Sequence, residues 1–146
     1  MTSTEEKLKT ATFRYIEQEI YSYHETLKRI ELLKYQIMCQ SSNNDDENTQ
    51  AGRNSVRNNH SETEEKATSL LTDKRITKLE EKAEAVEKAY NHLVDEKKAV
   101  IDLYYWERPG ELTWDGVASE TNTSRATALR WRKQFVLNVA KELGEI

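Results

Sequence analysis

One proline, four glycines and one cysteine are all that this 146-residue chain holds of the residues that bend or staple a backbone. A sheet protein of that length needs more turn punctuation, so the shortage points to helices. Cys39 stands alone, which excludes an internal disulfide and suits a reducing cytoplasm. No run approaches the roughly 18 apolar residues of a spanning helix, so no membrane partner is expected. The start, Met1-Thr-Ser-Thr-Glu-Glu, lacks the basic-then-apolar layout of a signal peptide. His24, His60 and His92 fall in unrelated segments without metal-ligand spacing. Cys39 has no catalytic partner nearby, and no glycine-rich phosphate loop is present. These gaps carry the expectation of a protein that is not an enzyme and needs neither metal nor cofactor.

What is abundant is charge. Charged residues make up 33% of the chain and hydrophobic residues 36%, with a formal net charge of −4. That is too polar for one large spherical core, so part of the chain should be long, solvated helix or unstructured linker. Gly110, Gly116, Gly144 and Pro109 gather in the last quarter, while Gly52 is the sole glycine among the first hundred residues. Long helices upstream and a turn-rich unit downstream follow.

The first segment, residues 1–38, reads as a long helix starting near Ser3, with Glu6 at capping-box spacing. Phe13, Ile16, Ile20, Tyr23, Leu27, Ile30 and Ile37 form a heptad seam, with Lys34 as a polar member. Residues 39–61 have turn and linker composition, too polar to offset the cost of ordering. Asn44, Asp46 and Asn48 resemble the opening of a calcium loop, but Thr49 stands where its glycine must be. Residues 62–94 read as a second heptad helix, through Ile76, Leu79, Ala83, Val86, Tyr90 and Leu93. Each helix alone leaves its stripe wet. The expected fold class is therefore all-α: a long antiparallel, coiled-coil-like helical hairpin, then a small C-terminal helix-turn-helix domain. The hairpin is an expected site of homo-oligomerisation.

Residues 95–146 carry the functional pattern. Asp95 is expected to cap a helix reaching Trp106, and Arg108-Pro-Gly-Glu breaks the chain. Thr113 caps a short helix, Asn122 turns the chain in the left-handed region, and Ser124 caps a last helix that Gly144 ends. Ala118 is small where two helices must cross, with Val117, Ala128 and Trp131 as core. The charge is local. Five of the 22 cations lie between Thr121 and Lys141 with no acid among them, leaving 17 cations against 26 acids elsewhere, a net −9. A basic helix on an acidic body suits double-stranded DNA. The candidate contacts, on a recognition helix over 124–142, are Ser124, Arg125, Thr127, Arg130, Arg132, Lys133 and Gln134. Arginine can grip guanine edges, glutamine can read adenine, and hydroxyls suit phosphates.

The string Lys98-Ala-Val-Ile-Asp-Leu-Tyr-Tyr, a break, and Leu112-Thr-Trp-Asp-Gly-Val-Ala-Ser-Glu-Thr-Asn-Thr-Ser-Arg-Ala-Thr-Ala-Leu-Arg-Trp resembles region 4 of bacterial sigma factors. The whole layout resembles the RinA/ArpU-type phage late-gene activators. Thr121 and Thr123 depart from the pattern, being polar where apolar residues are commoner. The resemblance implies a sequence-specific transcriptional activator of phage or prophage late genes, working in the host cytoplasm and contacting RNA polymerase. Two rivals share the same layout. One is a DNA-packaging adaptor of the small-terminase type, and the other is a structural coiled-coil interaction protein.

Overall fold

The computed structural model describes residues 8–47 and 73–146, with side chains over 8–39 and 73–146. All regular structure among them is helical. Helix α1 is Thr10–Tyr21, α2 Tyr23–Glu47, α3 Lys74–Asn91 and α4 Asp95–Ile101; α4 runs on as a π-helical turn, Asp102–Glu107. Helix α5 is Trp114–Glu120 and α6 is Arg125–Leu143. The Ser3–Glu6 capping box, most of the linker and the start of the second expected helix lie outside the described residues. Helix α2 runs to Glu47, so residues 39–47 continue a helix where the composition suggests linker. Elongating an existing helix costs far less than starting one, which lets weak helix formers follow strong ones.

The chain divides into two compact units. One takes in residues up to His24 together with Lys82–Ile146, and the other is Glu25–Glu81. The second unit buries Thr26, Ile30, Leu33 and Ile76. This moves the seam of α2 by one residue at alternate steps. Thr26 is inside where Leu27 was expected, and Leu27 is 37% exposed. Leu33 is inside in place of Lys34, whose ammonium reaches Glu80 on α3 at 3.3 Å. Stepping three rather than four residues on from Ile30 selects leucine over lysine, and the hydrophobic effect decides that choice. Lys34 thus flanks the seam instead of interrupting it.

The first unit shows why residues 95–146 do not stand alone. Its main core joins Ile16 and Ile20 of α1, Ala85, Val86 and Ala89 of α3, Ile101 of α4, Tyr105 of the π turn, and Phe135, Val136, Val139 and Ala140 of α6. Both ends of the chain build this core. Helix α1 begins after Lys9 without a side-chain cap and ends at Ser22, whose N–H bonds back to the Gln18 carbonyl. Helix α4 is preceded by Val94, so Asp95 is its first residue rather than its cap.

At the centre of this unit Glu17 lies buried and accepts three hydrogen bonds. Tyr105 Oη donates to Oε2 at 2.7 Å, and Arg132 donates through Nη2 to Oε1 at 2.8 Å and through Nε to Oε2 at 3.1 Å. The bidentate fork is the strong form of this contact. The guanidinium also lies 5.1 Å from the centroid of the Phe13 ring and 5.2 Å from that of Trp114. Burial disfavours the charged form of Arg132, but the Glu17 carboxylate outweighs it and the guanidinium is held charged. Burial raises the Tyr105 phenol well above the ordinary tyrosine range, and Glu17 raises it further.

The π turn serves the same core. Its wider winding, with the Arg108 N–H bonded to the Leu103 carbonyl five residues back, gives three successive aromatics separate tasks. Tyr104 stacks on Trp114 with centroids 4.0 Å apart, Tyr105 meets Glu17, and Trp106 Nε1 donates to the Ile20 carbonyl at 2.8 Å.

Two predictions follow from this packing. Glu17→Ala should lower stability by about 2–3 kcal/mol, because it strands a mostly buried guanidinium and a buried phenol. Tyr105→Phe should cost only about 1 kcal/mol. Urea unfolding compares them, and equal losses would contradict a central role for the ion pair. Alkali gives the second. A phenol whose folded pKa is raised binds its proton more tightly when folded. Its stabilising effect is complete below the unfolded value of about 10 and is lost as pH climbs above it. For Tyr105 the loss should run at about 1.4 kcal/mol per pH unit. Tyrosinate absorbance should show Tyr105 ionising together with unfolding, and Tyr105→Phe should flatten the decline.

Candidate nucleic-acid interface

Local chemistry defines the two helices α5 and α6. Thr113 Oγ1 accepts from the Gly116 N–H at 3.2 Å, and Ser124 Oγ accepts from the Thr127 N–H at 3.1 Å, each satisfying a helix-start donor. Between them Asn122 sits at φ 55°, the left-handed conformation that asparagine tolerates. The Thr123 N–H then reaches the Ala118 carbonyl at 2.9 Å, and the Asn122 N–H the Ser119 carbonyl at 3.4 Å. These are the two bonds of a Schellman ending. Gly144, at φ 76°, ends α6 in the same way.

Of the two departures from the family pattern, Thr121 has a structural reason. Thr121 Oγ1 donates to the Val117 carbonyl at 2.8 Å, so its polar side chain satisfies the end of α5. Thr123 contributes only its backbone N–H to the Schellman bond, which any residue but proline could supply, and nothing in the structure explains its polar side chain.

The crossing of α5 and α6 is sealed by a second core of Val100, Val117, Ala118 and Ala128. Leu103, Tyr104, Leu112, Trp114 and Trp131 pack against it, partly buried. Trp131 is thus the flank of this cluster rather than its buried centre. The Lys97 ammonium lies 6.0 Å from its ring centroid.

Helical geometry sorts the seven candidate contacts. At 3.6 residues per turn, Ala128, Arg132, Phe135, Val136 and Val139 share the inward arc of α6. Arg132 is therefore committed to Glu17, between two rings, and is a structural residue. The opposite arc carries Ala126, Arg130, Lys133, Gln134 and Lys141, all exposed. Arg130 and Lys133 have no ion-pair partner among the described residues. Arg125 is exposed and approaches Asp115 of α5 at 3.7 Å, a solvent-screened contact that a stronger anion can displace. Ser124 and Thr127 sit at the helix start, their hydroxyls 2.8 Å apart. Gln134 also borders a small cleft with His92, Lys97, Trp131 and Asn138.

The structure thus gathers Ser124, Arg125, Thr127, Arg130, Lys133 and Gln134 on the N-terminal half and outer side of α6, and takes Arg132 away. A count of helical phase from Ala128 to Val136 would have found the exception. Lys97, brought beside Gln134 by α4, has no signal in the linear sequence. Among the described residues no helix is long and apolar enough to cross a membrane, and no His, Cys, Asp and Glu cluster is arranged to hold a metal ion.

A family model described as "Protein of unknown function (DUF722)" matches residues 12–141. The chain is 31% identical over 145 residues to the transcriptional activator rinA of Staphylococcus phage phi11, covering 99% of each chain. No solved structure matches. The end-to-end identity and the family match together make this chain a member of the RinA-type DUF722 family.

Proposed function

We propose that this protein is a phage or prophage transcriptional activator that binds DNA with α5, its turn and α6 as a helix-turn-helix. In this reading α6 lies in the major groove. The observation that carries it is the outer arc of α6, where Arg130, Lys133 and Gln134 stand exposed while the inner arc is locked to the core. Arg130 and Gln134 are the base readers, matched to guanine and adenine edges. Lys133, Arg125 and the Ser124 and Thr127 hydroxyls hold phosphates. The acidic remainder of the chain, net −9, repels DNA elsewhere and so favours one face. The relative's name as a transcriptional activator supports activation over packaging. The finer reading includes late promoters, contact with bacterial RNA polymerase, a cytoplasmic site of action, and a homo-oligomer presenting two recognition helices. The role is binding, without catalysis.

Mobility shift against promoter fragments, with scrambled DNA as competitor, tests the DNA reading. Run-off transcription with bacterial polymerase tests activation, and the absence of stimulation on every phage promoter would sink it. Arg130→Ala should lose about 1–3 kcal/mol of specific binding and relax preference at one base pair, with helicity unchanged. Lys133→Ala should weaken all sequences alike and lower the salt slope by about 1. Equal binding by wild type and both variants would place the interface elsewhere.

A further inference from the structure

A pocket of about 480 Å³ lies in the first unit, lined by Tyr23, His24, Val86, Glu87, Tyr90, Asn91, Asp102, Trp106 and Glu107. Its wall is aromatic. The Trp106 ring lies 5.7 Å from Tyr23, 5.2 Å from His24 and 5.3 Å from Tyr90, centroid to centroid. The hydrogen bond from Trp106 Nε1 to the Ile20 carbonyl fixes that ring before anything binds. Its charge is of one sign. Glu87, Asp102 and Glu107 contribute carboxylates, and no lysine or arginine is among the lining residues.

Asp102 is held by the Tyr90 hydroxyl, 2.9 Å from both of its oxygens. Glu87 and Glu107 are exposed and have no ion-pair partner among the described residues. The neighbouring phenols report the same field. Burial and then Asp102 push Tyr90 up to about 12, and burial and then Glu87 raise Tyr23.

Aromatic faces attract cations through their quadrupoles, and carboxylates at the rim add to that attraction. This chain uses the same chemistry internally. Lys98 lies 5.2 Å from the centroid of Tyr90, and Arg132 lies between Phe13 and Trp114. Tyr90 thus already faces one cation of the chain, whereas the Tyr23 and Trp106 rings face none among the described residues. Its volume falls in the range that holds a small ligand or a side-chain end group. A metal ion fits poorly, since no group of His, Cys, Asp and Glu among the described residues is arranged to hold one.

We infer that this pocket binds an organic cation, a guanidinium or alkylammonium group, against the Tyr23 and Trp106 rings and beside the Glu87 and Glu107 carboxylates. None of its lining residues belongs to α5 or α6, so a cation held here leaves the outer arc of α6 open to DNA. The site does not depend on the DNA reading, and neither does its test.

The test is a titration of the full chain followed by NMR at the Trp106 indole N–H. The probes are choline, propylguanidinium, a short peptide with a single arginine, and dimethylbutanol as the uncharged counterpart of choline. Both small cations should give saturable shifts at Trp106, and dimethylbutanol should not. The double variant Glu87→Gln/Glu107→Gln alters exposed residues, so the fold should be kept, as circular dichroism will check. It should weaken both cations about fivefold or more. An arginine peptide that binds more tightly than propylguanidinium assigns the cation to a protein partner. The reverse order assigns it to a free small molecule, and either order upholds a cation site. An equal response to dimethylbutanol, an unchanged Kd in the double variant, or no shift at Trp106 would overturn the inference.

Discussion

The rest of this protein depends on one buried carboxylate. Glu17 takes two hydrogen bonds from Arg132 and one from Tyr105, and through them ties the first described helix to the last. Removing a charge from water is costly, and an unpaired one in this position would be worse. The three side chains therefore require each other. The two rings beside Arg132 extend the same constraint, since Phe13 belongs to α1 and Trp114 opens α5. The contact thus fixes the rotation of α6 about its own axis. With Arg132 facing inward, Arg130 and Lys133 face outward.

Charge on α6 therefore has two meanings. Arg132 is neutralised by an acid from 115 residues away in sequence and spends its donors on the fold. Arg130, two residues before it and on the other side of the helix, stands exposed with no ion-pair partner among the described residues. Neighbouring arginines of identical composition are divided by a turn of roughly 200° around the axis.

Much of this was legible in the sequence where the cause is local. Thr113 and Ser124 cap their helices, Asn122 and Gly144 adopt the left-handed conformation, and Ala118 and Ala128 are buried at a crossing, because each follows from a residue and its neighbours. The all-helical class followed from scarce turn residues. What was not legible came from distant partners. Periodicity alone fits Lys34 as well as Leu33, and only packing in three dimensions separates them. Arg132 counts among the candidate DNA contacts on sign of charge, although its phase relative to Ala128 and Phe135 points inward. The π turn has no sequence signature, and nothing in residues 95–146 announces that their core is completed by Ile16 and Ile20.

That last feature bears on how the protein is made. A chain leaves the ribosome at roughly 5–20 residues per second, so Glu17 emerges several seconds to some twenty seconds before Arg132. Throughout that interval α1 can meet its partners on α3 and α4, but the α6 side of its core is missing and its carboxylate has no guanidinium. The unit that carries α5 and α6 cannot form on the nascent chain from its C-terminal residues alone. It can close only once α6 has emerged. Formation of the outer face of α6 is thus coupled to synthesis through Ala140, and a chain that stops before α6 cannot complete the core behind it.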